Sequence, residues 1–207
     1  MNFQLDGATH SVSYGELAGC SCRNADLSGG WASGYGQANR CQADFTNAKL
    51  VGFHFGKSIC SDSNFKKADL TEATFEEGTT KNANFQGACL KSLRGKQANF
   101  SGSDFTKADL SEADLVKANF DGCNLTGANL RGAVLTGASL KGACLKGADF
   151  TDASVGQVDL NGAEISQAKG LSVEPVRKIA VGPKLKELSE LAKKSDTFRT
   201  TIDLETK

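Results

Sequence analysis

Cysteine, histidine and paired carboxylates are the residues of this sequence that could do chemistry. Seven cysteines and two histidines occur among 207 residues. Cys20 and Cys22 are only two positions apart, and His10 and His54 have no cluster of further ligands beside them. No CxxC pair or Cys/His group therefore has the spacing of a zinc site. We expect free thiols, no metal and no cofactor.

The carboxylates follow a long period. Six acidic residues recur as pairs every 40 positions: Asp69, Glu72, Asp109, Glu112, Asp149 and Asp152. Lys49 precedes the first pair, and Lys91 and Arg131 fall between the pairs. Alternating acid and base is typical of a solvated, self-neutralising surface, although the six acids are also candidate partner-binding residues. No GxxxxGK[ST], GxSxG or HExxH motif occurs, so no enzymatic activity is expected.

A period of five residues underlies the period of 40. From Phe45 to Ile165 a large apolar residue recurs at nearly every fifth position, which defines 25 consecutive units. The central residue is Leu, Phe, Ile or Val in 22 units, and the residue two before it is Ala in 17. The residue between these two is Asp or Asn in 13 units. This period fits neither a helix nor a flat strand, so the chain must turn once per unit.

Four such units are predicted to close one square coil, with one unit on each side. The central residue and the small residue two before it point inward, and the last two positions of each unit are expected to vary freely. Coils stacked at the strand spacing of about 4.8 Å satisfy the backbone groups of their neighbours. At Leu93 and Gly95 the large and small residues exchange places, which is expected to preserve the core volume.

Units such as 108–112, with the sequence ADLSE, resemble the A(D/N)LXX consensus of the pentapeptide-repeat family. The resemblance implies an all-β solenoid in the form of a right-handed quadrilateral β-helix. Some members of that family protect type II topoisomerases from quinolone drugs, and they are similar to duplex DNA in size and negative surface. The resemblance thus implies either a protein–protein interaction scaffold or a DNA mimic that binds DNA gyrase.

A register break is expected near the N-terminus. The spacing from Leu27 to Phe45 is not a multiple of five, and the Gly-rich segment at about 28–40 reads as a loop. The loop contains Trp31 and Tyr35, aromatic residues of the kind enriched at interface hot spots. Both are candidate partner-binding residues, and packing against the first coils is the alternative.

The repeat period ends after Gly170. The sequence predicts a solenoid in residues 1–170, with regular repeats at 43–167, followed by a short α-helical cap and a polar tail in 171–207. Three leucines at helical spacing are candidates for the cap or for a homodimer seam: Leu185, Leu188 and Leu191.

Charge and hydropathy narrow the function further. The 24 basic and 24 acidic residues balance, which disfavours direct binding to nucleic acid or an anionic membrane. Residues 1–170 carry 18 acids and 16 bases, far from the roughly one charge per 1.7 Å of a DNA duplex. Neither a membrane span nor a signal peptide is predicted. We therefore expect a cytoplasmic, non-enzymatic scaffold that binds another protein, with the DNA mimic as the alternative.

Overall fold

The computed structural model describes four parts of the chain, residues 2–5, 8–11, 19–30 and 42–171. Strand β1 spans Asn2–Leu5 and pairs antiparallel with strand β2, which spans Ala8–Ser11. The rest of the described chain is a β-solenoid, in which single parallel bridges connect one coil to the next. Over the described residues there is no helix with the length and hydrophobicity that a bilayer crossing requires.

Each coil of the solenoid consists of four units. Asp69 bridges Cys89, and Cys89 bridges Asp109, and the same offset holds for every bridge from Asp44 to Lys169. From Asp44 to Glu164, each bridging residue stands directly before the central residue of its unit. Four five-residue units therefore return the chain to the ladder from which it started, which confirms the predicted coil period.

The unit 68–72 shows where the backbone N–H groups go. The N–H of Ala68 closes a turn onto the preceding unit at 3.0 Å, and that of Asp69 reaches the preceding coil at 2.9 Å. The N–H groups of Leu70 and Glu72 reach the following coil at 2.7 and 2.9 Å. Only the N–H of Thr71 lacks a backbone acceptor, and the Oδ1 of Asp69 accepts it at 3.1 Å. In this unit, one side chain thus completes the backbone hydrogen bonding.

The recurrent Asp or Asn is therefore structural. Of the 13 units that have one before the centre, 12 make this bond, at 2.8 to 3.2 Å. The exception is Asp114, whose Oδ2 lies 3.1 Å from the Nζ of Lys96. Its Oδ1 is buried and accepts no hydrogen bond from any described residue.

The last residue of every unit adopts left-handed backbone geometry. All 25 such positions have positive φ, from Asn47 at 58° to Gln167 at 61°. Glycine occupies ten of them, and the other 15 carry side chains at a cost of about 1–2 kcal/mol each. The expectation that the last two positions vary freely is therefore wrong for the final one, because the corner of the coil turns there.

Stacked side chains fill the interior. Four rings form one column: Phe45, Phe65, Phe85 and Phe105. Their successive centroids lie 5.0, 4.8 and 4.6 Å apart, close to the strand spacing that sets the distance between coils. Phe55 meets Phe65 edge-on at 5.6 Å and 89°, the arrangement that the ring quadrupoles favour. Aromatic packing and backbone pairing therefore share one repeat distance.

The exchange at Leu93 and Gly95 preserves the core. A Cβ placed on Gly95 would lie 3.0 Å from the side chain of Leu115 and 3.5 Å from that of Leu93. Leu93 is fully buried, in the position that Ala holds in most units. The predicted compensation is confirmed.

Gly30 makes room for a second large residue. Phe53 also stands in a position that is usually Ala and is fully buried, and a Cβ on Gly30 would lie 2.8 Å from its ring. Glycine in the preceding coil therefore accommodates this ring.

The first bridges have a longer offset than the later ones. Ser21 bridges Asp44 and Asp26 bridges Lys49, so each of these pairs is separated by three positions more than the pairs of the regular coils. Three extra residues therefore lie between Gly30 and the first regular coil.

The core exchange predicts strong coupling between two substitutions. Leu93→Ala should destabilise the fold by about 2–5 kcal/mol through a cavity. Gly95→Leu should cost about 1–3 kcal/mol through overpacking. The double variant restores the consensus pattern and should recover most of both losses in urea-induced unfolding. Additive losses would show that Leu93 does not occupy the space that Gly95 leaves.

The turn bond predicts a difference between two changes at Asn99, whose Oδ1 accepts the N–H of Ser101 at 3.1 Å. Asn99→Ala removes the acceptor and should lower the free energy of unfolding by about 1 kcal/mol. Asn99→Asp keeps the acceptor and should leave stability nearly unchanged in thermal unfolding at neutral pH. Equal losses in both variants would contradict the structural role of this position.

Candidate protein-binding face

The structure brings all six acids of the period of 40 onto one side of the solenoid. The ladder on this side consists of Lys49, Asp69, Cys89, Asp109, Asn129, Asp149 and Lys169. The two residues that follow each central residue complete the surface, and they include Glu72, Lys91, Glu112, Arg131 and Asp152. We call this surface the charged face; it comprises residues 48–52, 68–72, 88–92, 108–112, 128–132 and 148–152.

The three ladder aspartates are partly committed to their turns. Asp69, Asp109 and Asp149 are half-buried, and the Oδ1 of each accepts the backbone N–H two residues later, at 3.1, 3.0 and 2.9 Å. Asp109 also accepts a bond from the side chain of Asn129 at 2.9 Å. A partner would therefore find mainly the second carboxylate oxygen of each aspartate.

Asp149 shows how the turn affects ionisation. The hydroxyl of Thr151 donates to its Oδ1 at 2.5 Å and is the main cause that lowers the pKa of the Asp149 carboxyl. Burial opposes this effect, whereas the Thr151 N–H and the Arg131 guanidinium add to it. Because the folded pKa lies below the unfolded value of about 3.9, this group stabilises the fold above that pH, and the contribution is lost on acidification.

The other three acids stand at the left-handed corners. Glu72, Glu112 and Asp152 have φ of 59°, 60° and 62°, and all three are exposed. No turn bond engages their carboxylates, so these side chains are freer to meet a partner than the ladder aspartates.

Ion pairs connect consecutive coils on the charged face. Lys91 Nζ lies 3.5 Å from Glu112 Oε1. Arg131 lies between two acids of the next coil, with Nη1 at 3.6 Å from Asp149 Oδ2 and Nη2 at 3.6 Å from Asp152 Oδ2. Within the described coils, by contrast, no cation pairs with the other three acids of the set: Asp69, Glu72 and Asp109. The expected neutralisation is therefore complete in only part of the face.

Charge alternates around whole coils as well as along this face. Coils 63–82, 103–122 and 143–162 contain four, five and three acids beside three, two and one bases. The coils between them, 83–102 and 123–142, contain three and two bases and no acid. Each acidic coil therefore lies against a basic one, which supplies favourable pairs between neighbours.

Three of the described cysteines, Cys89, Cys123 and Cys144, are at least half-buried and lie beside hydrogen-bonding groups. Cys123 is buried, its Sγ donates to the carbonyl of Phe100 at 3.0 Å, and burial raises the pKa of its thiol to about 12. Cys89 and Cys144 are half-buried, and each has a threonine hydroxyl 3.3 Å from its Sγ. In the parts of the chain that the structure describes, no group of three or more His, Cys, Asp or Glu side chains could hold a metal ion.

Two sets of candidate residues cannot be placed. The first set is the pair of loop aromatics, Trp31 and Tyr35, which lie outside the described residues. The second set is the three C-terminal leucines, which also lie outside them: Leu185, Leu188 and Leu191. Their roles stay predictions.

Sequence reasoning missed a charged residue at the start of this ladder. Asp26 continues it, and its Oδ2 lies 3.8 Å from Lys49 Nζ. The signal was present in the chain, but it becomes visible only when the insertion of three is subtracted from the spacing.

The solved structures that are similar to this chain include three from different sources. Against solved structures, the chain is 21% identical to HetL, a pentapeptide-repeat protein of the cyanobacterium Nostoc involved in heterocyst differentiation regulation, over 75% of this chain and 89% of that one, with a TM-score of 0.27. A pentapeptide-repeat protein of the Arabidopsis thaliana thylakoid lumen is 25% identical over 80% and 83%, with a TM-score of 0.26. QnrB1, a plasmid-mediated fluoroquinolone resistance protein, is 20% identical over 79% and 100%, with a TM-score of 0.34.

The family assignment comes from the repeat itself. No curated protein sequence matches the chain significantly. The family model described as pentapeptide repeats matches eight copies, in residues 42–76, 96–122 and 113–152. These segments lie within the coils whose four-unit period the bridges define. The chain belongs to the pentapeptide-repeat proteins.

Proposed function

We propose that this protein is a non-enzymatic interaction scaffold whose charged face binds another protein. The observation that carries the proposal is the set of acids without an ion pair among the described residues: Asp69, Glu72 and Asp109. They are fixed on a backbone that is hydrogen-bonded from coil to coil, so the cost of ordering them is met by folding rather than by binding.

The chemistry of the other polar residues supports a scaffold over an enzyme. Most Asp and Asn side chains of the ladders are committed to turns, as shown above. The Cys123 thiol is buried, and its pKa of about 12 keeps it protonated and unreactive at neutral pH.

A DNA mimic that binds a type II topoisomerase is the alternative. Six coils at about 4.8 Å span roughly 29 Å, over which a duplex carries roughly 17 negative charges. Residues 42–171 contain 15 acids and 14 bases, a net charge of −1. Ion pairs further neutralise the acids of the charged face. The field of this solenoid thus favours the scaffold.

The proposal includes a right-handed, four-sided solenoid, a helical cap in residues 171–207 and a cytoplasmic location. One observation supports the cap. The last coil leaves four apolar residues only partly buried: Ala153, Leu160, Ala168 and Leu171. Covering this end would remove apolar surface from water and satisfy the edge of the stack.

The scaffold function predicts no effect on DNA gyrase. Purified protein at micromolar concentration should neither inhibit supercoiling nor protect the enzyme from a quinolone, because the net field is too weak to compete with DNA. Supercoiling assays with and without the drug measure both effects. Inhibition or protection that Glu72→Gln together with Glu112→Gln abolishes would favour the topoisomerase alternative.

Pull-down experiments should locate the binding surface. A charged-face variant, Glu72→Gln with Glu112→Gln, should lose captured proteins that the unmodified chain retains. Lys146→Gln, on another side of the solenoid, serves as the control and should retain them. A loop variant, Trp31→Ala with Tyr35→Ala, tests the other candidate surface. Identical sets of captured proteins from the unmodified chain and the charged-face variant would contradict the proposal.

A further inference from the structure

The order of charges along the charged face is self-complementary. From the coil of Lys49 to the coil of Asp149, the sign runs basic, acidic, basic, acidic, basic, acidic. When two such rows, each with an even number of alternating charges, lie antiparallel, every base stands opposite an acid. We infer that the partner of this face is a second copy of the same chain, docked antiparallel; this inference rests on the proposed function.

The two-fold axis that relates the copies lies in the plane of contact and is perpendicular to the solenoid axis, so the two rows run in opposite directions. It passes between the coils of Lys91 and Glu112. Each copy uses the same surface, so the contact is isologous and closes at two chains. Lys91 of one copy then faces the coil that carries Asp109 and Glu112 in the other.

The outer coils match under the same axis. Arg131 faces the coil of Asp69 and Glu72 in the second copy. Lys49, a ladder residue, faces the coil of Asp149, which is also a ladder residue and stands at the same lateral position.

The docked pair provides cations for the acids that lack one. Asp69, Glu72 and Asp109 have no ion pair among the described residues, and the second copy places Arg131 or Lys91 opposite each of them. These two cations remain available, because their side chains are 51% and 49% exposed even while they form pairs within the chain.

With the axis at this height, no other side of the regular coils opposes unlike charges in all six coils. On the side of Asn99 and Asn119, the same axis opposes Asp62 to Asp159, which are both acidic. On the side of Arg94, the segments 133–137 and 153–157 offer no charge.

On the remaining side, around Asn84, the outward bases Lys66 and Lys67 face a coil segment, 123–127, that has no charge. Only the charged face therefore opposes unlike charges over all six regular coils.

The contact is polar and solvent-accessible at its rim, so its affinity should depend strongly on salt. Apolar contact through the C-terminal leucines would respond far less. Ionic strength therefore separates the two routes to a dimer.

Charge reversal on separate copies tests the inference. Variant A carries Glu72→Lys and Glu112→Lys; lysine already occupies the same left-handed corner at Lys67 and Lys107, with φ of 57° at both. Variant B carries Lys91→Glu and Arg131→Glu. Each variant alone opposes like charges at four contacts, whereas an equimolar mixture of A and B opposes unlike charges at all four.

Native mass spectrometry at low salt should show a dimer for the unmodified chain, monomers for A and for B, and an A·B heterodimer in the mixture. Leu188→Asp is the control for a C-terminal seam and should remain dimeric. Dimers of A or of B alone, a monomeric unmodified chain, or a mixture that stays monomeric would each overturn the inference.

Two matched thiols report the location of the contact. Cys89 lies on the charged face beside the two-fold axis, and Cys144 lies on a neighbouring ladder with the same threonine contact at 3.3 Å. Alkylation of Cys89 should slow several-fold in the dimer relative to variant A, while the rate at Cys144 stays the same. Equal rates at Cys89 in the dimer and in variant A would contradict the docking.

Failure of this inference can be told apart from failure of the proposed function. If the unmodified chain is monomeric but the charged-face variant loses captured proteins, the face binds a different protein and only the inference fails. If neither dimer nor capture depends on the face, both fail.

Discussion

Backbone pairing between coils is the constraint on which the rest of this structure depends. In unit 68–72, stacking at an offset of four units uses three of the five N–H groups, a turn within the coil uses a fourth, and one is left over. That remaining group explains why Asp or Asn recurs before the central residue, since a short side-chain acceptor is the nearest available partner. The same stacking forces a left-handed residue at each corner, where glycine costs least.

These requirements decide which side chains are left for function. Inward positions are filled by small and large apolar residues, and most ladder acids are held in turns. Corners and the residues just before them remain, and Glu72, Lys91, Glu112 and Arg131 occupy such places. Their charges alternate because each coil lies against a neighbour whose charge must not repel it. A surface whose charges alternate in this way is suited to pairing with an antiparallel second copy of itself.

Much of the fold could be predicted from the sequence because the five-residue period and the pattern of apolar and polar residues agree with each other. The exchange of large and small residues at Leu93 and Gly95 could be interpreted from side-chain volume alone. The broken spacing after Leu27 could be interpreted by counting residues. The left-handed corner could not, because 15 of the 25 corner positions hold a residue other than glycine, and most of these are types such as Lys, Glu and Gln that do not signal positive φ. The place of Asp26 on the charged face was hidden by the inserted residues, and the unpaired state of Asp69 depends on distances that spacing does not give.

Sedimentation velocity of the unmodified chain at two ionic strengths tests the central claim most directly, namely that the charged face joins two copies. The structure predicts a concentration-dependent dimer at low salt that dissociates to a monomer as the Debye length falls to about 3 Å near 1 M salt. A monomer at both ionic strengths, or a dimer that salt leaves unchanged, would contradict it.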